Sequence, residues 1–354
     1  MRDGWHQVKF GVATRSLDSK RVPVKTPDRR PGPYPYWGAS GVVDHVDSYL
    51  FDHPALLVSE DGENLKTRKT PIAFLVKGKY WVNNHAHVAV AADGYDLRFL
   101  YYAMSIADVS GYLTGSTQPK LTAGSLSKMT IEVPELEEQR RIAAVLGGLD
   151  DLIDTNQQLC EAIQELSRTL YSKFARAAGG IRTLSEVAIV NPDSIKARTE
   201  GRIQYLDIAA LNDGGMEAPR PIQWNEAPSR ARRIAVSEDT LWSTVRPNRR
   251  GHALLLEPAD DLVVSTGIAV IRPQNIGFSE LYAATDRPEF VEYLMTRAQG
   301  SAYPAVRAND IEDAPLPELD VEDAAAFEAI MAPLWHTFGK LTTEQNQARH
   351  TRDE

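Results

Sequence analysis

The chain has 354 residues, 43% of them apolar and 25% charged, with a formal net charge of −9 at pH 7. That length suits two or three domains of ordinary soluble composition. No stretch approaches the roughly 18 uninterrupted apolar residues of a membrane span, and the acidic balance argues against a general nucleic-acid coat.

Residues 1–133 read as the first domain, of mixed α and β type. Leu56-Leu57-Val58, Ile72 to Val76 and His87 to Val90 are expected strands, punctuated by Gly62, Gly78 and Gly94. Asp96 to Met104 reads as a short helix behind an Asp cap, and Leu126 to Val133 as a returning strand. Residues 134–178 form a long helix. Its apolar positions alternate by three and four: Ile142, Val145, Leu149, Leu152, then Asn156, then Leu159, Ile163, Leu166 and Leu170. That is a coiled-coil seam with one polar member, and a lone Asn in a seam fixes register at a cost in stability. Gly147-Gly148 marks a weak point where a bend is expected.

Residues 179–317 repeat the order of the first domain. Leu184 to Val190 opens the copy, and Thr240 to Val245, Ala253 to Leu256 and Gly267 to Ile271 are expected strands. Pro288 to Thr296 is the short helix. Residues 318–354 form a second helix with apolar positions Phe327, Met331, Leu334, Phe338 and Leu341, kinked near Pro333. The two long helices pair most simply antiparallel with each other; the alternative is that each packs on its own domain. The fold class is therefore α+β, with two mixed α/β domains separated by long helices forming an antiparallel coiled coil.

The duplication is written most plainly in two loops. Gly115-Ser116-Thr117-Gln118-Pro119-Lys120-Leu121 closes one domain, and Gly300-Ser301-Ala302-Tyr303-Pro304-Ala305-Val306 closes the other. Each leads within about twenty residues to a proline-marked exit into a long helix, Val133-Pro134-Glu135-Leu136 and Leu316-Pro317-Glu318-Leu319. Two similar domains suggest a protein that touches two similar things.

Catalytic chemistry finds no support. There is no Gly-rich phosphate loop ending in Lys-Ser/Thr and no G-x-G-x-x-G cradle. Asn191-Pro192-Asp193 lacks the Pro-Pro-aromatic run that an amino-methyltransferase uses. The single Cys160 excludes an intramolecular disulfide and a cysteine-based zinc site. His85 and His87 have no third ligand in view, so polar readout or packing is the better reading. No catalytic, metal or cofactor residue is assigned. The N-terminus Met1-Arg2-Asp3-Gly4-Trp5-His6 has no apolar signal core, and a cytoplasmic location is expected.

Charge is unevenly spread: residues 1–133 carry 16 basic against 13 acidic residues, and the acid concentrates further along. Basic residues gather in loops of both copies. Asn and Gln suit adenine, and Arg and Lys suit guanine. The donor-rich loop residues, which the resemblance given next makes DNA-contact candidates, are in the first copy Lys20, Arg21, Lys66, Arg68 and Lys69, then Asn83, Asn84 and His85, then Gln118 and Lys120. In the second copy they are Arg246, Asn248, Arg249 and Arg250, then Tyr303 and Arg307. Sequence alone does not sort base from phosphate contacts.

These residues carry a resemblance that covers nearly the whole chain. Lys79-Tyr80-Trp81-Val82-Asn83-Asn84-His85-Ala86-His87-Val88, its counterpart Leu262 to Val270, the run Asp239 to Pro247, and the helix opening Pro134-Glu135-Leu136-Glu137-Glu138-Gln139-Arg140-Arg141-Ile142-Ala143 resemble the specificity (S) subunit of a type I restriction–modification enzyme. The C-terminal helix departs from that pattern, opening Glu322-Asp323-Ala324-Ala325-Ala326. The resemblance implies two target-recognition domains, each reading half of a bipartite double-stranded DNA target, with the helix pair as a ruler. It implies two methyltransferase subunits and a motor–nuclease subunit as partners, with S-adenosylmethionine and ATP on those partners and none on this chain. The rival reading is a coiled-coil scaffold with two adaptor domains and no DNA readout.

Overall fold

Two sheets meet at one central strand in each half of the chain. The computed structural model describes residues 4–115, 117–196, 200–300 and 303–353. Met1, Arg2 and Asp3, and Ser116, Ser301 and Ala302 of the repeated loops, lie outside the described residues. The chain divides into two units, Met1–Asp151 and Leu152–Glu354.

In the first unit, strands Thr14–Ser16, Ala86–Ala91, Ala55–Ser59 and Ala73–Val76 form one antiparallel sheet in that order. Ala55–Ser59 is buried along its whole length. Leu56 and Val58 face Leu100 and Met104, while Leu57 faces Tyr80, Val82 and Val88. Both faces are covered, which is why this strand reads as a continuous apolar run and not as an alternation. The second sheet is ordered Gly41–Val46, Pro31–Gly38, Lys79–Val82, Phe51–Asp52, and its Pro31–Gly38 and Lys79–Val82 run parallel.

The second unit repeats this plan. Ala188–Val190, Ile268–Pro273, Thr240–Ser243 and His252–Leu254 form the equivalent antiparallel sheet. Leu241 and Trp242 of its central strand again face different cores. Its other sheet also contains one parallel pair, Arg202–Leu206 with Leu262–Ser265. Each unit is closed by a two-stranded antiparallel ribbon, Trp5–Lys9 with Thr130–Pro134 and Gly180–Thr183 with Pro315–Glu318. The proline-marked exits therefore occupy the same place in both.

One expected strand start is corrected. Leu126 to Met129 is not strand: Ala123–Lys128 is a helix, capped where Thr122 Oγ1 accepts the Ser125 amide at 3.1 Å. The strand begins at Thr130. An additional helix, Phe278–Thr285, is buried at every residue, so it shows no amphipathic stripe to read.

Helix Leu136–Ala177 has 42 residues and runs unbroken through Gly147 and Gly148, a length of about 63 Å. A Cβ at Gly147 would collide with the Arg98 guanidinium, so this glycine serves a close approach. The C-terminal helix Val321–Asp353 continues through Pro333. Within the second unit the two helices run antiparallel. Tyr171 and Phe174 meet Phe327 edge-on, Cys160 lies by Thr342, and Gln345 donates to the Ile153 carbonyl at 3.1 Å.

Asn156 is a buried seam residue and donates to Glu344 at 2.8 Å. The rest of the seam is rotated from the expected one. Val145, Leu159 and Leu166 are 67%, 47% and 44% exposed, and the buried stripe is Ile153, Asn156, Cys160, Ile163, Ser167 and Tyr171. A helix of 3.6 residues per turn drifts off a strict heptad, and small Cys160 and Ser167 admit a close partner where large Leu159 and Leu166 would not. Ile142, Leu149, Leu152 and Leu170 are half-buried, Ile142 against the first unit's core. On the partner helix Phe327 and Met331 are buried, and Leu334, Phe338 and Leu341 are half-buried. Trp335, 1% exposed, packs edge-on against Tyr282 of helix Phe278–Thr285.

Candidate nucleic-acid interface

The repeated loops close with the same backbone bonds. Thr114 and Lys120 exchange two N–H···O bonds of 2.8 Å; Gln299 and Ala305 exchange two of 2.9 Å. Gly115 (φ +87°) and Gly300 (φ +99°) start the turns in the left-handed region that glycine tolerates. A second layer of bonds is equally shared. The Gly62 amide donates to Pro119 O and the Arg246 amide to Pro304 O; Leu121 N donates to Glu60 O and Val306 N to Thr244 O. Glu60-Asp61-Gly62 and Thr244-Val245-Arg246 thus occupy equivalent places beneath equivalent loops.

Their side chains differ. In the first unit Glu60 accepts Arg21 at 2.7 Å and pairs with Lys120 at 3.1 Å. Buried His87 contacts Asp18 at 2.6 Å through Nδ1 and the Leu121 carbonyl at 2.7 Å through Nε2. Burial pushes the Asp18 and Glu60 carboxyls up, but the His87 contact and Val88 amide at Asp18, and Arg21 and Lys120 at Glu60, more than offset it. Both lie below their ordinary values. His85 pairs with Asp61 at 2.8 Å.

The cluster brings Arg21, His85 and Lys120 together and leaves Lys20, Asn84 and Gln118 exposed beside it. Two candidates are held inward in the structure. Asn83 is buried, and its Oδ1 accepts the His85 amide at 2.7 Å, so it builds a turn. Arg21 is only 13% exposed and is turned inward onto Glu60 and the Ala86 carbonyl. Lys66, Arg68 and Lys69 are exposed in or just after helix Asn64–Thr67, and Arg68 is tied to the Ser105 carbonyl at 2.5 Å.

In the second unit Pro247–Arg249 is one turn of 3-10 helix between two residues of left-handed backbone, Arg246 (φ +52°) and Arg250 (φ +53°). The Arg246 guanidinium lies 4.3 Å over the Tyr303 ring. Arg250 is turned inward: it reaches Asp213 at 3.1 Å, the Asp286 carboxylate at 2.5 Å and the Asp286 carbonyl at 2.8 Å. Asn248 and Arg249 are left exposed at the tip. Arg307 is exposed; its guanidinium donates to Gln299 at 3.3 Å, beside the repeated loop.

Beneath this loop His252 is fully buried, stacked between Trp242 at 4.6 Å and Tyr282 at 5.5 Å. Asp213, His252 and Asp286 bring three ligand-type atoms within 4.8 Å of one another. Arg168 and Arg250 already hold both carboxylates, so guanidinium groups balance the cluster and a cation does not fit. Asp18, Glu60, His87, His252 and Asp286 escaped the sequence reading. Only the two-residue spacing of His85 and His87 hinted at one of them.

Among the described residues no helix is long and apolar enough to cross a membrane. Residues 5–165 match the family model described as "Type I restriction modification DNA specificity domain". A putative type I restriction enzyme specificity subunit of Haemophilus influenzae is 33% identical over 136 residues, covering 38% of this chain and 35% of that protein. The MjaIX specificity subunit of Methanocaldococcus jannaschii is 29% identical over 126 residues, covering 34% of this chain and 29% of that one. The matched stretch thus spans about a third of these relatives' length. The crystal structure of a type I restriction–modification S subunit from M. genitalium superposes with a TM-score of 0.70 over 99% of this chain and 94% of that chain, at 14% identity, and shares the fold. Residues 5–165 thus match a type I restriction–modification DNA specificity domain, and the chain shares the fold of an S subunit.

Proposed function

We propose that the chain is a DNA-sequence reader in which each unit recognises one half of a bipartite target. The observation that carries this reading is the shared loop backbone: two units present the same hydrogen-bonded loops with different side chains on them. Readers of two different half-sites require that combination. Donor groups suited to base edges stand exposed at or beside these loops, Asn84 and Gln118 in one unit and Asn248 and Arg249 in the other. The long helices act as the ruler, and the Asn156 layer holds their register. Catalysis falls to partners: two methyltransferase subunits using S-adenosylmethionine, and an ATP-driven motor–nuclease subunit. Leu159 and Leu166, seven residues apart and exposed, offer them an apolar stripe on the ruler.

The test is methylation-site mapping in cells that lack a parental system. Exchanging residues 1–133 for the equivalent domain of a relative should change one half of the methylated sequence. A change in both halves, or in neither, would count against two independent readers. Purified chain with no sequence-dependent, salt-sensitive DNA binding would favour a scaffold without readout. Arg249→Ala should relax discrimination at one position by about 1–3 kcal/mol if the contact is to a base. If it is to a phosphate, all sequences should weaken together and the salt slope should shrink by about one.

A further inference from the structure

The second unit's reading loop is anchored at both ends, and one of those anchors lies on the ruler helix. At its front end Arg246 is fixed by Tyr303 and by the bond to Pro304 O. At its rear end Arg250 is held by Asp213 and Asp286. Asp286 is itself 6% exposed and receives Arg168 Nε of helix Leu136–Ala177 at 2.7 Å; His252 Nε2 lies 2.9 Å from the same carboxylate. The helix takes a second hold one turn earlier, where Gln164 donates to the Gly214 carbonyl at 2.6 Å, next to Asp213.

We propose that Asp286 is a positioning residue: it joins Arg168 on the ruler helix to Arg250 in the reading loop, so that the helix sets the orientation of Asn248 and Arg249. The need for such a clamp is visible in the backbone. Arg246 and Arg250 both occupy left-handed conformations that L side chains rarely adopt. A short loop with two such residues keeps its shape only when side chains over-determine it. Asp286 is suited to the task because it stays ionised. Burial would push its carboxyl up, but His252 and Arg168 more than offset that and hold it below the ordinary range. A buried carboxylate with guanidinium partners on two elements fixes both in direction as well as distance.

The proposal rests on the reading of this loop as DNA-facing, and the experiment separates the two. Hydrogen exchange of the full chain is compared for wild type, Asp286→Asn and Arg168→Ala. Arg168 is 42% exposed, so its removal spares the fold if the buried change does not. Exchange of amides 246–252 should rise about tenfold in either folded variant while the strand Thr240–Ser243 stays protected. Discrimination at the second half-site should fall about tenfold, with the first half-site untouched. Unchanged exchange at 246–252 in folded Arg168→Ala overturns the clamp. Raised exchange in a chain whose wild type shows no sequence-dependent DNA binding upholds the clamp and removes the DNA reading instead.

Discussion

The two units hold their long helices by different balances of polar and aromatic contact. In the first, the contact is polar and close: Gln139, 1% exposed, accepts the Asp96 amide at 3.0 Å and donates to the Pro134 carbonyl at 2.9 Å, and Arg98 lies across Gly147 to reach Asp151 at 2.7 Å. In the second, aromatic packing joins the Arg168 and Gln164 bonds: Phe327, Met331 and Trp335 are buried, and Trp335 meets Tyr282 edge-on at 5.0 Å. The loops diverge in the same way above a common backbone, with carboxylates at Glu60 and Asp61 where the other unit has Thr244 and Val245. A duplicated fold therefore keeps its main-chain bonds and lets its side chains drift. That is the condition under which two copies can come to recognise different sequences.

The sharpest way to break the comparison is at the helix feet. Trp335→Ala should cost about 4 kcal/mol, the usual range for deleting a fully buried large aromatic. Gln139→Ala should cost about 2 kcal/mol, because it orphans one buried amide and one carbonyl. Denaturant melts that resolve the two units would place the first loss in the second unit and the second in the first. Equal costs would show that burial, and not chemistry, governs the two contacts.

Much of this was legible in the sequence, for identifiable reasons. The loops declared the duplication because glycine and proline at fixed offsets have few uses. Strand Ala55–Ser59 was readable as a short apolar run. The parallel strand Arg202–Leu206 was not, because nothing local marks its pairing with Leu262–Ser265, which lies far along the chain. The seam was half legible: Asn156 was found, but Leu159 and Leu166 outranked Cys160 and Ser167 on size, although close packing needed the smaller pair. Of the interface, sequence found the cations and missed their counterions. Asp18, Glu60 and Asp286 meet their partners across 39 to 118 positions wherever the fold joins them (Asp18 to Val88, Glu60 to Arg21, Asp286 to Arg168).

The equivalent positions Glu60 and Thr244 sharpen the contrast further. Glu60→Ala leaves Arg21, Lys120 and His87 facing a lost charge and should cost about 3 kcal/mol, near the lower end for breaking a buried pair. Thr244→Ala removes one bond, to Gly267 O at 2.9 Å, and should cost about 1 kcal/mol. Thermal melts of the two variants decide it; a Thr244→Ala cost as large as that of Glu60→Ala would mean the acidic cluster adds nothing to its loop.

The glycines of the repeated loops give a smaller difference. A Cβ at Gly115 would strike the Gln118 carbonyl, whereas one at Gly300 would stand 3.1 Å from Tyr303 O. Both substitutions carry the left-handed penalty, so Gly300→Ala should cost about 1 kcal/mol and Gly115→Ala about 2. Reversal of that order in equilibrium melts would contradict the shared loop geometry.

The smallest expected effect is on pH dependence, and its sign follows from the carboxylates beneath the loops. Glu60, facing Arg21, Lys120 and His87, lies below its ordinary value of 4.5. Asp18, facing His87, Arg21 and the Val88 amide, and Asp286, facing His252, Arg168, Arg250 and Tyr282, lie below 3.8. A group whose folded value is depressed binds protons more readily when unfolded. Its stabilisation is complete above the unfolded value and is lost as pH falls through the folded one. Each clamp should therefore contribute fully at neutral pH, weaken as pH drops past 4.5 for Glu60, and weaken past 3.8 for Asp18 and Asp286. Urea melts at about pH 6 and about pH 3.5 should show the first unit losing less stability in Glu60→Gln than in wild type. The second unit should do the same in Asp286→Asn. The effect is smaller than the substitutions above because acid removes the charge while leaving the hydrogen-bonding oxygens in place. A Glu60→Gln protein that loses as much stability in acid as wild type would show that its cations are held by something other than that carboxylate.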